Sequence, residues 1–181
     1  MLLAQQRFRI ADPVADVGFT SLQAAYAGFL SRYSWDWFCT FTFRCATHPE
    51  AARKYFGLWV SLLNRHLFGT NWYRKGKSVF WVLAYERHQS GALHMHALVS
   101  HPVSDLNYRA RRLEFMDLWN GLGKADVRSP LGRLISSAKG PGFARIAAAD
   151  NRCAVSAYVS KYVTKGGEIE LGGSIGQEFV S

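Results

Sequence analysis

The apolar positions of this chain change period several times, and each change marks an element. Residues 19–33 (FTSLQAAYAGFLSRY) read as a helix, whereas residues 35–44 (WDWFCTFTFR) are rich in aromatic and β-branched side chains and short enough for a strand. Thr47-His48-Pro49-Glu50 has the form of a capping box with an early proline. Behind it Tyr55, Leu58, Trp59, Leu62 and His66 fall at helical spacing. Two strands follow, 78–88 (SVFWVLAYERH) and 92–100 (ALHMHALVS), separated by Gln89-Ser90-Gly91. A helix from about Asp105 to Asn120, a strand at 142–149 (GFARIAAA) and a helix from Asn151 to Lys165, ended by Gly166-Gly167, complete the pattern.

With the two outer helices set aside, the order is β-α-β-β-α-β. This predicts an α+β fold: a ferredoxin-like split core whose central antiparallel sheet carries helices on one face and leaves the other for a site. An N-terminal helix and a C-terminal helix are added to it. The domain runs over residues 1–165, and residues 166–181 read as a Gly-rich flexible tail or linker. The loop from Gly121 to Pro141 is longer than a compact domain normally tolerates, which marks it as functional or mobile.

The stretch GALHMHALVS, residues 91–100, holds two histidines one residue apart in an apolar run. In a strand such residues share a face. A three-residue loop with Gly91 last sets the hairpin register about Ser90, so Glu86 falls opposite His94 and Ala84 opposite His96. Directly paired residues have Cβ atoms roughly 4.5–5.5 Å apart. One carboxylate and two imidazoles thus reach a single patch, with the small Ala84 leaving room beside them. Two nitrogens and an oxygen with further positions open describe a catalytic metal site rather than a closed structural one. The same residues can also form a buried ion pair between Glu86 and a protonated histidine.

Composition narrows the partners. Among 181 residues, 22 Lys and Arg against 13 Asp and Glu give a net charge of +9, which suits a polyanion, either nucleic acid or an anionic membrane. The three cysteines include no C-x-x-C pair, which argues against a disulfide framework or a cysteine zinc site and fits a reducing cytoplasm. No stretch approaches the roughly 18 apolar residues of a membrane span, and the N-terminus lacks the apolar core of a signal peptide. A soluble, cytoplasmic protein with no membrane partner is expected. Asn71-Trp72-Tyr73-Arg74-Lys75-Gly76-Lys77 mixes aromatics with cations, the combination that holds single-stranded nucleic acid. Arg109, Arg111 and Arg112 add a basic helix face. Gly76-Lys77-Ser78 is not the end of a phosphate-binding loop, because Asn71 stands where that motif needs glycine and a strand follows.

In the last helix Tyr158 and Tyr162 are four residues apart, each followed three residues later by a lysine, Lys161 and Lys165. A cation beside a phenol stabilises the phenolate, which a tyrosine nucleophile with a reference pKa of about 10 requires.

Together these motifs resemble the HUH endonucleases, specifically the rolling-circle replication initiators (Rep) of the two-tyrosine type found in phages and plasmids. His94-Met95-His96 is similar to the family's His-hydrophobic-His motif, and Glu86 stands where initiators place a third ligand. Phe38-Cys39-Thr40-Phe41-Thr42-Phe43 resembles their first motif and Tyr158-Val159-Ser160-Lys161-Tyr162 their third, in the initiator order, over about residues 35–165. The resemblance implies a site-specific, metal-dependent nickase and strand-transferase acting on single-stranded DNA or an origin hairpin. Glu86, His94 and His96 would hold a divalent ion, Mg2+ or Mn2+, with Zn2+ also suited to two imidazoles. Tyr158 or Tyr162 would form a 5′-phosphotyrosine and free a 3′-hydroxyl, with Lys161 stabilising phenolate or leaving-group charge. Trp72, Tyr73, Arg74, Lys75, Lys77, Arg109, Arg112 and Lys165 are the candidate DNA contacts. Host replication machinery, in a bacterial cell, would extend the primer, and a monomer is favoured. Two alternatives are an HUH single-strand DNA transposase and a non-catalytic nucleic-acid-binding module.

Overall fold

The computed structural model describes residues 21–87, 91–100, 111–122, 127–128, 134–135, 140–149 and 169–173. In chain order these form α1 (Ser21–Ser31), β1 (Trp37–Phe43), α2 (Pro49–Phe68), β2 (Phe80–Arg87) and β3 (Leu93–Ser100). They continue with α3 (Arg112–Leu122), β4 (Val127–Arg128), β5 (Leu134–Ile135), β6 (Pro141–Ala148) and β7 (Ile169–Gly172). The main sheet has the order β6-β1-β3-β2-β7, and every pairing in it is antiparallel. Without β7 this is the split β-α-β-β-α-β core, with α2 and α3 as its two crossover helices. The helix expected over 151–165 lies outside the described residues, as does the 105–110 part of the helix expected from Asp105.

Alternation along the strands assigns the two faces. Trp37, Cys39 and Phe41 of β1 and Leu93, Met95, Ala97 and Val99 of β3 all point toward the helices. There they meet Phe56 and Trp59 of α2 and Phe115 and Trp119 of α3, every one of them essentially inaccessible to water. Phe41 is enclosed by three rings, at centroid distances of 4.5 Å to Trp119, 4.8 Å to Trp59 and 5.6 Å to Phe56. Trp59 Nε1 donates to the Phe115 carbonyl at 2.9 Å, so the polar atom of that buried ring is satisfied and the two helices are tied together. Buried Asn64 joins α2 to the approach of β2, accepting from the Val79 N–H at 2.9 Å and donating to Ser78 Oγ at 3.0 Å.

The opposite face is covered only in part. Leu30 of α1, with Tyr33 and Trp35 just after it, packs on Phe80, Val82 and Leu98. This cluster occupies the end of the sheet where β2 begins and β3 finishes.

Three local departures from the sequence expectation have physical causes. The cap of α2 is His48, not Thr47: Pro49 disfavours helical backbone in the residue before it, so His48 stays extended (φ −70°, ψ 140°) and accepts from the Glu50 N–H through Nδ1. Thr47 instead donates to the Cys45 carbonyl at 3.0 Å. The Gly121–Pro141 loop contains the short β4–β5 pair. Within the Gly-rich segment expected as a tail or linker, Ile169–Gly172 form β7 on the edge of β2. Glu170 clamps that strand in place, accepting from Tyr85 Oη at 2.8 Å and from Arg53 Nε at 2.6 Å. Glycine suits the strand's end, because a Cβ on Gly172 would collide with the Trp81 ring and Gly173 has φ +101°. No helix among the described residues is long and apolar enough to cross a membrane.

Candidate metal centre

The β2–β3 pairing runs from Phe80 opposite Ser100 to Arg87 opposite Leu93, which places Glu86 opposite His94 and Ala84 opposite His96. This is the register expected of a turn about Ser90, and Gly91 has the positive φ, +80°, that such a turn needs from its last residue. All four residues lie on the face that α2 and α3 leave open, at the end where β2 finishes and β3 begins.

His96 is the centre of this patch. It is buried, with 4% of its surface exposed, between Ala84 on one neighbouring strand and Thr40 on the other. Its Nε2 lies 3.1 Å from Glu86 Oε2, and its Nδ1 lies 3.2 Å from Thr40 Oγ1. Phe38 stacks on the ring with centroids 5.8 Å apart and planes 9° from parallel. Both contacts from β1 belong to the FCTFTF stretch, so the first motif orients the imidazole that the second supplies. The sequence signal for Thr40 was its even position in β1, two residues from Phe38 and hence on the same face.

The Glu86 carboxylate and the His96 Nε2 converge on one point, now bridged by a proton. Two ligands each about 2.1 Å from one cation and at right angles to each other stand about 3.0 Å apart, so the observed spacing fits a divalent ion in that proton's place. A hydrogen bond from Nδ1–H to Thr40 Oγ1 selects the tautomer that leaves Nε2 free to ligate. Half-buried His94 is the next donor along the face. Among the described residues, no three His, Cys, Asp or Glu side chains already surround a common metal position.

The other expected site residues are distributed as follows. Tyr158, Lys161, Tyr162, Lys165 and Arg109 lie outside the described residues. The Trp72–Lys77 loop leads into the start of β2, while Glu86 is near its end, about 20 Å further along the strand. Tyr73 is 59% exposed there, with the Arg74 guanidinium 5.8 Å from its ring centroid, and Lys75 and Lys77 are exposed. Arg112 is exposed at the start of α3, on the helix layer across the sheet from His96. Its neighbour Arg111 pairs with Glu114 at 2.9 Å and with His66, and this bonding holds the Glu114 carboxyl below its usual range. The structure therefore gathers the hairpin and first-motif residues at one end of the open face and leaves the predicted aromatic–basic loop and Arg112 away from it. It also brings to that face two exposed residues of β6, Phe143 and Arg145, which the sequence pattern had left as ordinary strand positions.

A family model described as Replication-associated protein ORF2 matches residues 36–167, a span that takes in β1, the β2–β3 hairpin, β6 and the Tyr158–Tyr162 segment. No curated protein matches the chain.

Proposed function

The chain belongs to the ORF2 family of replication-associated proteins, and from that premise we propose that it initiates rolling-circle DNA replication as an HUH-type, site-specific single-stranded DNA nickase and strand-transferase. The observation that carries this is the Glu86–His96 contact, with His94 on the same face, on the hairpin of a replication-family chain.

Glu86, His96 and His94 would hold a divalent ion, Mg2+ or Mn2+ with Zn2+ also suited to the imidazoles. Once bound, the ion supplies Lewis-acid polarisation of the scissile phosphate. Thr40 keeps the His96 proton on Nδ1, and Phe38 fixes the ring plane, so the ligating nitrogen stays aimed at the carboxylate. Tyr158 or Tyr162 supplies the nucleophile. Its phenolic oxygen bonds to phosphorus as the bond from phosphorus to the 3′-oxygen breaks. The phenolic proton is lost and the 3′-oxygen gains one. The products are a 5′-phosphotyrosine and a 3′-hydroxyl primer for the host machinery, and Lys161 stabilises the charge that passes between the two oxygens. Because the ester bond is exchanged rather than hydrolysed, the reverse attack rejoins DNA without ATP, and the second tyrosine serves the second transfer.

The test is a denaturing protein gel after incubation with labelled single-stranded origin DNA and Mn2+. A metal-dependent covalent band, lost in the Tyr158→Phe/Tyr162→Phe double variant, is expected, and the single variants identify the first nucleophile. Binding of every origin strand with no covalent band would leave a DNA-binding module instead.

A further inference from the structure

β6 presents alternate residues to the two faces. Ala144 and Ile146 are buried against the helices, so Arg145 projects from the face that carries His96. Arg145 is directly opposite Thr40, and Thr40 is bonded to His96 on the next strand, which puts Arg145 two strands, or about 10 Å, from the imidazole. Two residues earlier, Phe143 is 62% exposed.

Such a ring on an edge strand is costly to display, yet the backbone beneath it is built with care. The β1–β6 register shifts between Phe41 and Phe43, so that Gly142 and Phe143 together oppose Thr42. The Thr42 hydroxyl accepts from the Phe143 N–H at 2.9 Å and donates to the Phe143 carbonyl at 3.0 Å. Gly142 makes this possible, because a Cβ there would sit 2.6 Å from Thr42 Oγ1. A bulge of this kind re-aims a side chain and is common beside active sites. Thr42 and Gly142 thus fix an exposed aromatic next to an exposed cation on the open face.

We infer that Phe143 and Arg145 form a single-stranded DNA subsite beside the candidate metal centre, Phe143 stacking on a base and Arg145 pairing with a backbone phosphate. This rests on the proposed nuclease function. An aromatic face and a guanidinium at alternate positions are the chemistry that recognises unpaired nucleotides, and the net charge of +9 favours a polyanion over a second copy of the chain.

The experiment measures fluorescence anisotropy of a labelled single-stranded oligonucleotide, in EDTA so that no cleavage intervenes, over a series of salt concentrations. Phe143→Ala is expected to bind about tenfold more weakly, while Phe143→Trp retains affinity. Arg145→Gln is expected to reduce the slope of log K against log salt by about 0.7, a signature that loss of structure does not produce. Thermal melts of the variants should match wild type. If both variants bind like wild type and form the covalent adduct at the wild-type rate, the subsite is wrong and the nuclease stands. If wild type binds DNA yet forms no adduct with Mn2+, the nuclease fails while the affinity losses still decide the subsite. A shift from dimer to monomer in sedimentation of Phe143→Ala, with DNA affinity intact, would assign the ring to self-association and overturn the proposal.

Discussion

The two faces of the sheet are built from the same strands and share almost nothing else. On β1, Trp37, Cys39 and Phe41 enter a dry aromatic layer under two helices, while the intervening Phe38, Thr40 and Thr42 organise an imidazole and a bulge. On β3, Leu93, Met95 and Ala97 face the helices and His94 and His96 face away. Burial of a large apolar side chain contributes about 1.5–3 kcal/mol, whereas a typical hydrogen bond contributes about 1 kcal/mol net. Stability is therefore concentrated on one face, and the other is left to hold polar groups in fixed orientation. Neighbouring residues one position apart should respond to substitution in different ways: through folding for odd positions of β1, through binding and chemistry for even ones.

The sharpest way to break this comparison is Phe41→Ala. Removing a fully buried ring from among Phe56, Trp59 and Trp119 should cost about 3–5 kcal/mol in urea unfolding, while the fraction that remains folded should still form the covalent adduct. His96→Ala should show the reverse, abolishing the adduct while costing about 1–3 kcal/mol, chiefly because Glu86 loses its partner. Thr40→Val should weaken Mn2+ binding about 10- to 100-fold by electron paramagnetic resonance titration, with unfolding changed by about 1 kcal/mol or less. Thr40→Ser should restore the affinity, since only the hydroxyl is needed. The smallest effect is one of protection. Cys39 is inaccessible, and burial pushes its thiol pKa up, while Cys45 is exposed. In a Cys153→Ser background a thiol reagent should modify Cys45 promptly and Cys39 only as fast as the protein unfolds. Prompt labelling of both would show that the helix-covered face is not closed.

Much of this architecture was legible in local patterns. Gly91 at the end of a short turn was enough to fix the register of β2 on β3, and that register alone puts Glu86 and His96 on one face. What escaped was set by contacts distant in sequence. Gly172 and Gly173 read as linker because glycine lowers strand propensity, yet here it is the missing Cβ that lets the backbone meet Trp81 and turn. The Trp72–Lys77 loop has the composition of a DNA contact, and composition carries no information about which end of a strand a loop joins. Thr47 has the better side chain for a cap, but Pro49 moved the start of the helix one residue on. Phe143 and Arg145 looked like routine alternation, because only the pairing with β1 reveals the bulge and the nearness of Thr40.

The clamped edge strand has a mechanical consequence. The chain leaves the sheet after Ala148 on β6 and re-enters it at Ile169 on β7, and these strands are the two outer edges, four inter-strand steps or about 19 Å apart. Whatever lies between those points is moored on both sides of the folded body. For Tyr158 and Tyr162 in the proposed role, tension on a covalently attached DNA strand would be shared by two anchor lines. One runs through the β6–β1 ladder and the other through the Glu170 clamp to Tyr85 and Arg53. Loss of that clamp would leave a single-ended tether, so a pulling measurement on the adduct should find Glu170→Ala yielding at lower force than wild type.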